Sequence, residues 1–207
     1  MAEATALPMA ASQARIDAID QLSQEILRRH LGRGRRGLTV AGVSDGIGVS
    51  SISLGLAAAL GRVGVNTLLI DGDLLASSLN THFDPPWTGP GLAEVLRDEV
   101  DIEDALDLGH GPDLAILHAG AKGPDGESRI FTPRFNDVLE WGLRRFQITI
   151  VDMPAATRST ASFHVARVTG YSLLVAGRHI SFAQDLTLFA DQMRQVGAEV
   201  VGSVLSG

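Results

Sequence analysis

The chain contains no cysteine, and Lys122 is the one lysine among its 207 residues. Without cysteine, disulfide bonds, thiol chemistry and cysteine-based zinc sites are excluded. No apolar run reaches the roughly 18 residues of a transmembrane helix, and Met1–Ala11 has neither the basic start nor the long apolar stretch of a secretory signal. With a net charge of −7, these absences predict a cytoplasmic protein that does not bind nucleic acid.

Hydrophobic residues make up 45% of the chain, which is enough for one well-buried core. Apolar side chains recur at spacings of three and four in residues 12–31, which predicts an amphipathic N-terminal helix. From residue 38 onward, short runs rich in Val, Ile and Leu alternate with helical patterns. This alternation predicts a doubly wound α/β domain with a mostly parallel sheet. The predicted strands are 38–42, 67–71, 114–118, 147–152, 172–176 and 199–205, and the later helices are 50–64, 91–98, 133–145, 160–168 and 182–196.

The predicted domain boundary falls after a short basic segment, Gly32–Gly37, which consists of three glycines and three arginines. We interpret this segment as a solvated, flexible hinge; the alternative is a contact for anionic lipid or an acidic partner. The chain is therefore divided into residues 1–37, comprising a tail, the amphipathic helix and a basic linker, and residues 38–207, the α/β domain.

A glycine loop stands between the first predicted strand and the helix that follows it. Residues 42–51 read GVSDGIGVSS. A strand, a glycine loop and a helix form the arrangement of a P-loop, which wraps phosphate with backbone N–H groups at a helix N-terminus. The position that a P-loop gives to lysine holds Val49 here. The candidate phosphate cradle consists of Gly46, Ile47, Gly48, Val49, Ser50 and Ser51.

Aspartates follow two of the other predicted strands, at the edge of the sheet where the glycine loop lies. Asp71 ends the second strand and Asp73 comes two residues later, and Asp152 ends the fourth strand. Such carboxylates can hold Mg²⁺ or orient a water molecule, and Ser50 occupies the P-loop position whose hydroxyl binds Mg²⁺. Ser50, Asp71 and Asp152 are the predicted magnesium ligands, with Asp73 as a further catalytic carboxylate. The simpler alternatives are a tight turn at the glycines and aspartates that cap the next loop.

In this combination, the chain resembles the MinD/ParA class of P-loop ATPases, and within it the cytoplasmic domain of bacterial tyrosine kinases (BY-kinases). The motifs DGIGVS, LLIDGDLL, PGLAEVL, VDMPA and GSVLS match those of the family in order along the chain. The resemblance covers about residues 12–207. It implies ATP and Mg²⁺ as cofactors, a role in capsule or exopolysaccharide assembly, and homo-oligomers. It also implies a partner, an inner-membrane polysaccharide chain-length regulator, that would hold the protein at the membrane.

The departures from the family pattern are as informative as the matches. The P-loop lysine is Val49, and the signature lysine of MinD/ParA proteins falls at Ser44. The threonine or serine after the Walker B aspartate is Met153, and the terminal asparagine is Ser206. Losing one preorganised charge contact costs roughly 10²–10³ in rate. We therefore expect weak ATP binding and vestigial roles for Asp71, Asp73 and Asp152.

Three functions remain open from the sequence. The first is a degenerate BY-kinase-like protein with a structural or regulatory role beside the chain-length regulator. The second is a slow Mg²⁺-dependent ATPase or tyrosine autokinase, for which Lys122 is the one lysine that could replace the missing one. The third is a MinD/ParA-like positioning protein. The single tyrosine, Tyr171, heads a predicted core strand and is expected to be buried, and the six scattered histidines show no metal-ligand spacing.

Overall fold

The computed structural model describes residues 13–123 and 125–207. Predictions for residues 1–12 and for Pro124 lie outside the described residues. Six parallel strands form one sheet in the order β3-β2-β4-β1-β5-β6, which confirms the predicted α/β fold. The strands are β1 (Gly37–Gly42), β2 (Thr67–Asp71), β3 (Leu114–Leu117), β4 (Ile148–Asp152), β5 (Tyr171–Gly177) and β6 (Glu199–Ser206).

Four of the six strands are covered on both faces. Every residue of β1, β2, β3 and β4 is buried, as expected for a parallel sheet between two layers of helices. β3 and β6 are the two edge strands of the sheet, and β6 differs from β3 because it is only partly covered. Its residues are half-buried or exposed along its whole length.

The helices occupy nearly the predicted places. They are α1 (Gln13–Arg29), α2 (Val49–Arg62), α3 (Leu92–Leu96), α4 (Gly126–Arg129), α5 (Pro133–Arg145), α6 (Ala161–Thr169) and α7 (Ala183–Gln195). The short helix α4 was not predicted. Helix α3 is shorter than predicted because Asp98, just after it, has a left-handed backbone with a φ of 57°. None of the helices among the described residues is both long enough and apolar enough to cross a membrane.

The N-terminal helix belongs to the same packed core as the sheet. Ile19 and Ile26 of α1 are buried, and Ile19 lies on Gly55 of α2, where a Cβ would come within 3.4 Å of the Ile19 side chain. α1 therefore packs directly on α2. The division of the chain at residue 37 stays a prediction about its domain organisation.

Most of the basic segment Gly32–Gly37 is exposed, as expected of a solvated linker, and its flexibility stays a prediction. Buried His30 lies 2.9 Å from the carbonyl oxygen of Gly37 through Nε2. Arg35 forms an ion pair with Glu199 at 2.9 Å, and its guanidinium lies 4.5 Å from the centre of the Tyr171 ring. These contacts join the end of α1 and Arg35 to the edge of the sheet where β1, β5 and β6 begin.

Tyr171 itself is half-buried rather than buried, which corrects the prediction made from its place in a strand. It is the first residue of β5, where the sheet begins and its cover is incomplete. His30 meets its ring edge-on, with the ring centres 4.8 Å apart.

Candidate functional site

The glycine loop follows β1 and leads directly into α2. Gly46 and Gly48 have left-handed backbones, with φ values of 69° and 82°, which glycine adopts without steric cost. No side chain caps the N-terminus of α2 at Gly48. Among the described residues, the N–H groups of Gly46, Ile47 and Gly48 donate to no other residue. The loop therefore presents free donors at a positive helix end, which suits an anion such as phosphate.

At the position that a P-loop gives to lysine, Val49 makes an apolar contact. A Cβ on Gly42 would lie 2.7 Å from Cγ2 of Val49 and 2.7 Å from Cδ1 of Ile47, so both side chains pack against the end of β1. Val49 also lines the cavity over the loop, which has a volume of about 310 Å³. A branched hydrocarbon thus replaces a cation at this point.

Two carboxyl groups meet beside the loop where β2 and β4 end. Asp71 and Asp152 are paired in the register of the sheet, and both are buried. Asp152 accepts a hydrogen bond from Ser53 Oγ at 2.8 Å. Asp71 accepts hydrogen bonds from the Asp73 backbone N–H at 3.1 Å and from the Ser77 hydroxyl.

Burial decides the protonation of this pair. It raises the pKa of Asp71 to about 8, and the neighbouring charge of Asp152 adds to this shift. Burial also raises the pKa of Asp152 to about 6, although hydrogen bonds from Ser50 and Ser53 oppose the shift. Near neutral pH the pair therefore retains a proton when no cation is bound.

The structure brings most of the predicted site residues to one cavity. The loop from Gly46 to Ser51 lines the cavity together with Asp73 and Asp152. Asp71 is not among the lining residues, because its carboxyl group is turned toward Ser77 and the Asp73 backbone. The hydroxyl of Ser50, a predicted magnesium ligand, lies 2.8 Å from that of Ser78. Ser50, Asp73 and Asp152 are thus better placed than Asp71 to meet a cation.

Arg158 also lines this cavity, and the sequence analysis missed it. Its Nε lies 2.5 Å from Oδ1 of Asp45 in the glycine loop, and its Nη2 pairs with the Asp73 carboxylate. The turn that carries it is fixed to β1, because the Ala156 N–H donates to the Gly42 carbonyl oxygen at 2.9 Å. The sequence does show an arginine six residues after Asp152, but its place beside the glycine loop depends on the turn after β4.

Lys122 does not reach the glycine loop. It lines a different cavity of about 670 Å³, together with Trp87, Glu94 and His118. Among the described residues that line the loop cavity, Arg158 is therefore the only arginine or lysine.

Two of the histidines do come together, around Asp107. His110 Nε2 and His118 Nε2 lie 2.7 Å and 3.1 Å from one carboxylate oxygen of Asp107. Burial opposes ionisation of Asp107, but these hydrogen bonds outweigh it and hold its pKa below the usual range. No cluster of three or more His, Asp or Glu side chains in the described residues could hold a metal ion.

Comparison with known proteins identifies the relatives of this chain, although no family model matches it. Tyrosine-protein kinase ptk of Acinetobacter johnsonii is 27% identical over 169 residues, which are 82% of this chain and 23% of that kinase. Tyrosine-protein kinase CpsD of Streptococcus pneumoniae is 26% identical over 169 residues, 82% of this chain and 74% of CpsD. Over about four fifths of its length, the chain is therefore similar in sequence to bacterial tyrosine-protein kinases. It spans about a quarter of the longer relatives.

Solved structures confirm the BY-kinase and MinD-like P-loop fold. The kinase domain of the Escherichia coli tyrosine kinase ETK superposes with a TM-score of 0.83 at 24% identity, covering 93% of this chain and 75% of that domain. The septum site-determining protein MinD from Pyrococcus horikoshii, solved with Mg-ADP, gives a TM-score of 0.69 at 21% identity. It covers 82% of this chain and 69% of MinD. A relative of the same fold therefore binds Mg-ADP.

Proposed function

We propose that this chain is a degenerate BY-kinase-like domain that has lost efficient phosphoryl transfer and serves as a docking or regulatory subunit. The observation that carries this proposal is Val49 at the lysine position, packed against Gly42. A P-loop lysine neutralises charge that builds up on the transferred phosphate. Removal of one such contact costs roughly 10²–10³ in rate.

The remaining loop fits a weakly held nucleotide. The free N–H groups of Gly46 to Gly48 would bind phosphate oxygens. Ser50, Asp73 and Asp152 would hold Mg²⁺, which neutralises phosphate charge when bound. Because Asp71 and Asp152 together retain a proton near neutral pH, a bound cation has to displace that proton. This competition weakens binding further.

The proposed partner is the inner-membrane polysaccharide chain-length regulator implied by the family resemblance. Homology to CpsD across 74% of its length supports this choice. Association with the regulator would place the chain at the cytoplasmic face of the membrane, in homo-oligomers or as a single subunit. The test is co-purification of the chain with a membrane-embedded chain-length regulator from the same organism. Equal recovery with and without ATP is expected, and failure to recover the regulator under both conditions would contradict the docking role.

A slow Mg²⁺-dependent ATPase is the second candidate. The open, uncapped cradle at the start of α2 favours it, because a loop kept only for structure has no need of free donors. Calorimetry with ATP and Mg²⁺, comparing wild type with Val49→Lys, tests the role of position 49 that both candidates share, and the rate of ADP formation separates the two. A regained cation should tighten binding by at least about tenfold, or about 1.4 kcal/mol.

A matched control uses the other end of the same helix. Val63, at the C-terminus of α2, is 53% exposed, and Val63→Lys adds the same charge away from the cavity. This control should bind ATP like the wild type. Equal affinities for the wild type and Val49→Lys would contradict the role given to position 49.

A further inference from the structure

We infer that Arg158 supplies the phosphate-binding cation that Val49 cannot, so that the loop binds the phosphate chain of a nucleoside polyphosphate through an arginine from the turn after β4. This inference rests on the proposed function, because it assigns a residue to the same site. Arg158 lies outside every motif that the family resemblance used. It shares the cavity with Gly46, Gly48 and Ser50.

The position of the Arg158 guanidinium is the first observation that supports this inference. Its Nε contacts Asp45, which directly precedes Gly46 in the loop, and its Nη2 contacts Asp73. The charge therefore lies between the glycine loop and the end of β2. An anion held by the loop N–H groups would share the cavity that this charge lines.

The second supporting observation is that the Arg158 side chain has hydrogen-bond donors to spare. A guanidinium has five N–H donors in a fixed planar fork. The two carboxylates engage Nε and Nη2, and Nη1 donates to none of the described residues. The side chain is 35% exposed, so solvent and ligands can reach it. Arg158 can thus bind an oxyanion without releasing Asp45 or Asp73.

The backbone holds Arg158 in this place. Met153 N–H donates to the Val40 carbonyl oxygen at 3.0 Å, and Arg158 N–H donates to the Ala155 carbonyl oxygen at 2.9 Å. The segment after β4 therefore continues beside β1 and then turns over the glycine loop. Such fixed placement reduces the ordering cost of binding a ligand.

The experiment measures ATP binding to the purified chain by calorimetry in the presence of Mg²⁺. Arg158→Met should weaken ATP binding by at least about tenfold. The matched control is Arg97→Met, because Arg97 likewise pairs with two carboxylates, Glu94 and Glu99, and is 23% exposed. That control should leave the affinity unchanged.

AMP should bind more weakly than ATP and should respond less to Arg158→Met, because it lacks the outer phosphates.

A double variant separates a direct contact from an effect of net charge. Arg158→Met combined with Asp45→Asn restores the net charge of the wild type. If Arg158 contacts phosphate, this double variant stays as weak as Arg158→Met, whereas Arg158→Met combined with Val49→Lys recovers binding. Recovery by Asp45→Asn, or unchanged affinity in Arg158→Met, would overturn the inference.

Different experimental results would contradict the role of Arg158 and the proposed function. If wild type binds no ATP, Arg158 does not replace the lysine, while the docking role stands. If wild type transfers phosphate at a kinase-like rate, the proposed loss of activity is wrong, while the binding role of Arg158 is judged by its own variants.

Discussion

At the ends of β2 and β4, two buried carboxyl groups lie in register, and neither has a cation in hydrogen-bonding contact among the described residues. The cation nearest in sequence to Asp152, Arg158, pairs instead with Asp45 and Asp73. Burial therefore favours the protonated form of the Asp71–Asp152 pair. At the scale of single residues, this pair makes the stability of the protein depend on pH.

The first prediction concerns that pH dependence. The pKa of Asp71 is raised on folding from an ordinary carboxyl value to about 8, so the folded state binds a proton that the unfolded state releases. The free energy of unfolding should fall as pH rises from about 4 to about 8, by up to about 1.4 kcal/mol per pH unit for one proton. Urea unfolding at several pH values measures this slope.

Asp71→Asn removes the titrating group and should flatten this dependence. The variant should gain stability relative to wild type at pH 8 and lose that advantage at pH 5. Exposed Asp101→Asn serves as the control and should keep the wild-type slope. An Asp71→Asn protein with the same slope as wild type would show that Asp71 ionises as readily in the folded chain as in the unfolded one.

Of the single residues in the site, some could be predicted from the sequence and others could not. Val49 was recognisable as a substitution because the motif fixes its place between Gly48 and Ser50. Arg158 was not, because its role depends on a turn that folds back over the loop through hydrogen bonds to β1. The inward turn of Asp71 toward Ser77 was likewise invisible, since it depends on the path of the chain after β2.

At the scale of elements, the apolar patterns predicted the sheet well. β2 and α5 have the predicted bounds, and each of the other strands differs by one residue at one end or, in β5, at both ends. Buried strands produce continuous apolar runs, which are easy to recognise. Ends of helices and packed connections were harder, because Asp98 and Arg35 take their conformations and partners from tertiary contacts.

The second prediction concerns how much the packing of α1 on α2 stabilises the fold. If α1 is part of the core, Ile19→Ala should lower the free energy of unfolding by about 2–4 kcal/mol, because it leaves a cavity against Gly55. Gln21→Ala, on the exposed face of the same helix, should change it by less than about 0.5 kcal/mol. Thermal or urea unfolding measures both. Equal, small effects would indicate that α1 is only loosely attached to α2.

At the scale of the whole molecule, the loop and the only tyrosine lie at opposite ends of the sheet. Gly42, where β1 ends, pairs with Val175 of β5. Tyr171 is the first residue of β5, and it lies about 13 Å from Val175 at the usual rise of a strand. The ring of Tyr171 also contacts His30 and Arg35. We predict that incubation with ATP and Mg²⁺ produces no phosphotyrosine. Mass spectrometry that finds phosphate on Tyr171 would contradict this prediction.

The central claim is that Val49 disables phosphoryl transfer in a fold that otherwise keeps its phosphate loop. Its most direct test is the rate of ADP formation from saturating ATP and Mg²⁺ in a single turnover, compared between wild type and Val49→Lys. The account predicts that wild type is slower by roughly 10²–10³. Equal rates for the two proteins, whether fast or slow, would contradict it.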